Sequence, residues 1–161
     1  MRLKSDSGQT VVETTLLLPL ILLLVMLLVE FGFAFYTNVT VNNAASEAAR
    51  YAAVANLPAT TPGTCEAGSI EERAVDFAGG RLLCSEVSVG YQNTGGEYTR
   101  GDGVAVRINH SYDTITPVPG LVSLVSGGLI PSTWTISACS DSRLEAKPAN
   151  QAVLAAGADC G

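Results

Sequence analysis

At 161 residues the chain has room for one modest domain beyond an anchor. Its net charge is −6 and it holds no basic cluster, which excludes the usual signature of a nucleic-acid binder held by phosphate contacts. Mean hydropathy is positive, but one apolar stretch near the N-terminus dominates it, and the remainder has the composition of an ordinary soluble domain.

The chain opens on a short polar head with Arg2 and Lys4. From Leu16 to Val29 every residue except Pro19 is plainly hydrophobic. Thr15 to Phe35 is an apolar-dominated run of about the ~20 residues that a membrane-spanning helix requires. The next positive residue after Lys4 is Arg50, beyond the far end of the run. The positive-inside bias therefore puts the N-terminus in the cytoplasm and the rest of the chain outside. Pro19 removes one backbone donor and favours a bend. Tyr36, with Phe31, Phe33 and Phe35, suits the outer interface. A secretory signal peptide competes for this stretch, since Gly32-Phe33-Ala34 has the small-x-small pattern of a cleavage site. Against it, the apolar run is longer than a usual signal core and the helical pattern continues past it without a break.

Two carboxylates interrupt this picture. Glu30 lies near the outer end of the run, where a charge costs less than at the centre and reaches the headgroups. It reads either as a polar contact for a partner helix or as an interfacial residue. Glu13 stands at the start of the run, behind Gly8. If the chain is cut after Gly8, Gln9 becomes the first residue and Glu13 the fifth. The carboxylate can then neutralise the new α-ammonium of a neighbouring chain in surroundings that strengthen the pairing. The plainer reading is a first-turn Glu complementing the helix dipole.

From Asn38 to Asn56, Val41, Ala45, Ala48, Ala49 and Ala52 recur at three- and four-residue steps. They form a narrow face of small residues that lets another backbone approach closely, either a neighbouring subunit's helix or the chain's own sheet. Glu47 and Arg50 are spaced to pair on the solvent face. Asn56-Leu57-Pro58 ends the helix.

As a set, Gly8-Gln9-Thr10-Val11-Val12-Glu13, the leucine-rich run at 16–24, Glu30-Phe31-Gly32 and the alanine-rich run at 42–53 resemble the TadE-like minor pilins (pseudopilins) of tight-adherence, or Flp-type, pilus systems. The resemblance covers about the first third of the chain. It implies a leader at 1–8 removed on the cytoplasmic side by a prepilin peptidase, with Gly8 and Gln9 at the cut and Glu13 the mature fifth residue. It further implies a long helix over 9–56, spanning the membrane at about 15–36 and exposed over 37–56, and an extracytoplasmic domain over 57–161. The partners it implies are the peptidase, other pilin subunits, inner-membrane pilus assembly proteins and the lipid bilayer. Major Flp pilins carry Tyr after this Glu, whereas Thr14 follows Glu13 here, which fits a minor subunit better. The length beyond the helix also argues against the short major pilin.

Leu57 to Gly68 holds two prolines and two glycines and reads as a loop carrying Cys65. Ser69 is a good N-cap for a second helix, and Glu72 completes a capping box. Ile70, Ala74, Phe77, Ala78 and Leu82 give its apolar face, and Gly79-Gly80 weakens its last turns. The period then changes to two. Val87, Val89 and Tyr91 mark one strand, and Val104, Val106, Ile108 and His110 a second, with a glycine-rich hairpin loop over Asn93 to Gly103 between them. Leu121 to Ile130 is apolar, a short helix lying over the sheet or close to the membrane surface. Thr133 to Ala138 predicts a third strand with Trp134 and Ile136 on one face. The small, polar tail from Ser140 would fray unless Cys160 tied it back. The expected fold class is α+β, a long N-terminal helix with a second helix and a small antiparallel sheet, which is also the pilin-like arrangement.

All four cysteines, Cys65, Cys84, Cys139 and Cys160, follow the apolar run. With a single histidine in the chain they do not make a zinc site. An even number on one side of an anchor favours disulfides in an oxidising compartment, against the alternative of buried free thiols. The most economical pairing joins Cys65 to Cys84 and Cys139 to Cys160, although sequence alone leaves three connectivities open. No catalytic constellation emerges. His110 reads as a packed or surface residue, and no nucleophile elbow, phosphate loop or cofactor motif is present. Asn38-Val39-Thr40 and Asn109-His110-Ser111 match glycosylation acceptors. Gly101-Asp102-Gly103 with Glu97 suits a hairpin turn better than a calcium loop. Two non-enzymatic functions survive, an assembly subunit of a pilus and a signal-anchored extracytoplasmic binding domain that never enters a filament.

Overall fold

A computed structural model describes residues 6–92, 97–117, 120, 123, 127, 133–154 and 160. Its elements are helices α1 (Asp6–Ala53) and α2 (Ile70–Phe77) and strands β1 (Val87–Gln92), β2 (Gly103–Asp113) and β3 (Thr133–Arg143). The three strands form one sheet in the order β1-β2-β3. The fold is therefore α+β, with a long apolar N-terminal helix, a second helix and a small antiparallel sheet. The chain divides into two compact units, one of Met1–Phe35 with Asp113–Trp134 and one of Tyr36–Tyr112 with Thr135–Gly161. The boundaries fall inside α1, at the last residue of β2 and just after the start of β3, so neither unit is continuous in sequence.

α1 continues through Pro19 without ending. It stops at Ala53, short of the expected Asn56, because Ala55 turns left-handed at φ 69°. The Asn56 amide then caps the Tyr51 carbonyl at 2.8 Å, satisfying one acceptor that the helix end leaves open.

In the second unit the small-residue face of α1 is consumed by the protein's own core. Val41, Ala44, Ala45, Ala48, Ala49 and Ala52 are all buried, in one cluster with Ile70, Ala74 and Leu82 and with Val104, Val106 and Ile108 of β2. Alanine at these steps gives the helix no bulk to hold the other layers away. β1 and β2 pair antiparallel with Val87 opposite Ile108 and Tyr91 opposite Val104. Gly90 opposes Ala105, and both are buried although the alternation alone would expose them.

Several local expectations change. Glu47 pairs with Arg73 of α2 at 2.8 Å rather than with Arg50, because the face carrying Glu47 is the one α2 meets. The Arg73 guanidinium also lies over the Tyr51 ring. Ser69 does cap α2, accepting from the Glu72 N–H at 3.1 Å. The Glu72 carboxylate, however, reaches one residue further back, to the Gly68 N–H, since the Ser69 N–H is already bonded to the Glu66 carbonyl. α2 ends at Phe77, which is 51% exposed and outside the core. Gly79 and Gly80 both take positive φ and return their N–H groups to the Asp76 and Val75 carbonyls, closing the helix where a side chain would be strained.

β3 runs past Ala138 to Arg143; Trp134 and Ile136 share one of its faces, with Trp134 56% exposed at the strand's start and Ala138 buried further along. The tail is tied back through Cys160, and its described part also packs. Leu144 and Pro148 are buried, and the Gln151 side chain both accepts from the Tyr98 N–H and donates to the Tyr98 carbonyl. Cys65 is bonded to Cys84 and Cys139 to Cys160, with Cα atoms 5.5 Å apart in each pair. Arg2, Lys4, the Gly95-Gly96 turn and most of Leu121 to Ile130 lie outside the described residues.

Candidate functional site

The residues singled out for processing and assembly lie on α1. Gly8 and Gln9 fall in its first turns, where the leading N–H groups have no intrahelical acceptor and the helix is weakest. Gly8 is exposed, and a Cβ placed there would meet nothing within 4 Å. Glu13 is exposed one helical turn further on, between Val11 and Val12 at 65% and 61% exposure and the leucines that follow. The polar residues beside it are neutralised within the helix. Thr14 donates its hydroxyl to the Thr10 carbonyl at 2.8 Å, and Thr15 to that of Val11 at 2.7 Å. Both hydroxyls are thus already bonded within the helix, as an apolar medium would require.

From Leu16 to Phe35 the helix presents large apolar side chains on every side, with Leu16 at 73% and Phe31 at 75% exposure. Thr14, Leu17, Leu18, Ile21, Leu22 and Val25, at three- and four-residue steps, line a shallow apolar groove along it. A helix apolar all round needs an apolar solvent or apolar neighbours. α1 is long and apolar enough to cross a membrane. Thr15 to Phe35 rises ~30 Å at ~1.5 Å per residue, the thickness of a hydrocarbon core.

Glu30 has an intramolecular use. Its carboxylate accepts from the backbone N–H of Thr116 at 2.8 Å and of Ile115 at 3.2 Å, within the first compact unit. Neither a partner-helix contact nor simple headgroup exposure anticipates this. No local pattern could have revealed it, because the partners lie 85 and 86 residues away in sequence. In the second unit Arg81 lies over the Tyr36 ring at 4.8 Å, an attraction between a cation and the ring face.

Three further carboxylates, none of which the sequence singles out as a site residue, organise the second unit. Glu71, 4% exposed, accepts from the buried Ala59 N–H at 2.8 Å. Glu66 gathers the loop before α2 through the Thr60 hydroxyl, the Thr61 N–H and the Thr64 hydroxyl. The Thr60 hydroxyl above all, with the Thr60 and Thr61 backbone, holds its pKa down at about 2. Glu86 bonds the Leu83 N–H, the Ser111 N–H and the His110 ring at 3.1 Å. Burial pushes this carboxyl upward, but the Leu83 N–H, His110 and the Ser111 N–H together hold it below the usual range. His110 is thus a clasp between β2 and the turn before β1.

Asp102 is committed to the Thr99 N–H and hydroxyl and Glu97 to Lys147, an arrangement that closes the turn. Among the described residues no group of three or more His, Cys, Asp or Glu side chains converges as a metal site requires.

Residues 8–50 match the family model described as TadE-like protein. No curated protein and no solved structure matches the chain.

Proposed function

Over residues 8–50 the chain is TadE-like, and from that premise we propose that it is a minor pilin, or pseudopilin, of a tight-adherence (Flp-type) pilus. In this reading α1 holds the protein in the cytoplasmic membrane with the N-terminus inside. A prepilin peptidase cuts after Gly8, and the mature chain joins other pilin subunits and inner-membrane assembly proteins through helix packing. The role is one of assembly, adhesion or secretion and not of catalysis. The observation that carries the proposal is the match itself, which begins at Gly8, takes in Glu13 and runs to the alanine-rich end of α1. Support comes from the exposed position of Glu13, where its carboxylate can meet the α-ammonium of a neighbour's Gln9 in low dielectric.

The test is the intact mass and N-terminal sequence of the protein recovered from membranes, with and without the prepilin peptidase. A chain that begins at Gln9 only when the peptidase is present supports the proposal. Glu13→Ala is then expected to be cleaved but to lose incorporation into pili. A chain that begins at Met1 in both strains sinks it and leaves a signal-anchored extracytoplasmic binding domain.

A further inference from the structure

Glu30 fixes the depth of a second segment. Counting along α1, Glu30 lies five residues before Phe35, or ~7 Å inside the end of the apolar run at ~1.5 Å per residue. Helical Cβ atoms tilt toward the N-terminus, so the carboxylate reaches deeper, not shallower. The backbone N–H groups of Ile115 and Thr116 are bonded to that carboxylate at 3.2 and 2.8 Å. They therefore lie at the level of Glu30, below Phe35.

Other observations agree. Asp113–Trp134 belongs to the same compact unit as Met1–Phe35. No Asp, Glu, Lys, Arg or His occurs between Asp113 and Asp141. On either side of the β2–β3 connection large apolar side chains are exposed, Ile115 just after β2 at 61% and Trp134, the second residue of β3, at 56%. Tryptophan and isoleucine at such positions suit the lipid interface, and tryptophan is enriched there. Non-helical backbone at that depth must have its N–H groups satisfied by protein, and Glu30 satisfies two of them.

We propose that the chain around Ile115, after β2, and Trp134, at the start of β3, makes a second membrane contact, with both side chains seated in the outer lipid interface and Glu30 serving as the acceptor that lets the backbone at Ile115 and Thr116 enter there. The inference rests on α1 spanning the bilayer. It gives Glu30 a reason to stand inside an apolar run and makes it a positioning residue for that backbone.

Trp134 is the single tryptophan of the chain, so its emission reports its own surroundings. The full-length protein is reconstituted alone into phosphatidylethanolamine–phosphatidylglycerol vesicles, with a parallel set carrying brominated acyl chains, and floated on a density gradient. The expected result is a blue-shifted emission that bromine near the headgroup quenches more than bromine near the chain end, and that aqueous iodide does not quench. It should be independent of the protein-to-lipid ratio. Glu30→Ala should still float, with Trp134 shifted toward the water-exposed wavelength and opened to iodide.

Flotation with a water-exposed Trp134 in the natural protein overturns the inference alone and moves the outer boundary of the span down to Glu30. A blue shift that appears only at high protein-to-lipid ratio, without bromolipid quenching, also overturns it by seating Trp134 against a second copy. Failure to float removes the membrane-spanning premise and the inference with it. An unchanged emission in Glu30→Ala overturns the role given to Glu30.

Discussion

The alanine face of α1 offers a choice between two uses, and Ala48→Leu separates them. Ala48 is fully buried in the cluster that also contains Val104, Val106 and Ile108. A leucine there adds three carbon atoms where no space is open. Overpacking a close-packed core costs about 1–3 kcal/mol, because the extra methyls force neighbouring rotamers or the backbone to shift. In a unit of about 100 residues that lowers Tm by roughly 5–15 °C. The assay is thermal unfolding of the full chain in detergent, followed by far-UV circular dichroism. Asn43→Leu, on the exposed side of the same helix, is the control and should leave Tm nearly unchanged. If Ala48→Leu unfolds at the natural temperature, the face does not belong to the protein's own core. Loss of pilus incorporation alongside an unchanged Tm would assign it to a neighbouring subunit instead.

Three other expectations follow from the second unit. Replacing Cys65 and Cys84 by Ala should destabilise the unit by about 3 kcal/mol on the chain-entropy estimate, and the pair Cys139 and Cys160 should give nearly the same loss, since the separations are 19 and 21 residues; denaturant melts of the two double variants check this. Ala55→Gly removes the strain of a left-handed alanine at φ 69°, worth ~1–2 kcal/mol, and gives back ~0.4–1 kcal/mol of unfolded-chain entropy. Its denaturation midpoint should therefore rise, and a fall would show that the backbone there is not left-handed. The depressed pKa of Glu66, about 2, makes the loop before α2 most stable above the ordinary carboxylate pKa of ~4.3, with that contribution lost as pH falls from there through the folded value. The Glu66 carboxyl-carbon resonance should titrate in that low range, and Glu66→Gln should flatten the acid limb of stability; a titration near ~4.3 would refute the loop contacts.

Much of the architecture was legible because it is written in local periodicity. The uninterrupted leucine run, the Ser69 cap, the period-two alternation of Val104, Val106 and Ile108, and the glycines that stop α2 each act within a few residues of chain. What escaped was set by the return of distant chain. Glu47 chose Arg73, 26 residues away, over Arg50 on its own helix, because α2 lies against that side. Glu71 reads as an ordinary acidic first-turn residue, and only the fold reveals the buried Ala59 N–H waiting for it. β3 continues through Ser140-Asp141-Ser142, a polar run that resembles a loop until the sheet supplies its ladder. Trp134 keeps the expected face with Ile136, but its exposure follows from its place at a strand end that belongs with the apolar unit.

α1 reconciles two opposite requirements in one helix. Over Val41 to Ala52 its side chains are small because a sheet and a second helix must come close, and that surface is filled. Over Val11 to Phe35 they are large and turned outward, so their burial must come from outside the chain. If α1 packs with other helices, as the proposed pilin role requires, that packing falls to the residues before Val41, where no core contact is broken. The groove from Thr14 to Val25 lies in that part, directly beyond Glu13. In the proposed role, a carboxylate at the entrance of this groove would give a neighbouring helix one charge to neutralise and a row of leucines to follow, which would set both where it docks and in which register. The alanine half would not supply that register, because its contacts are spent within the protein's own core.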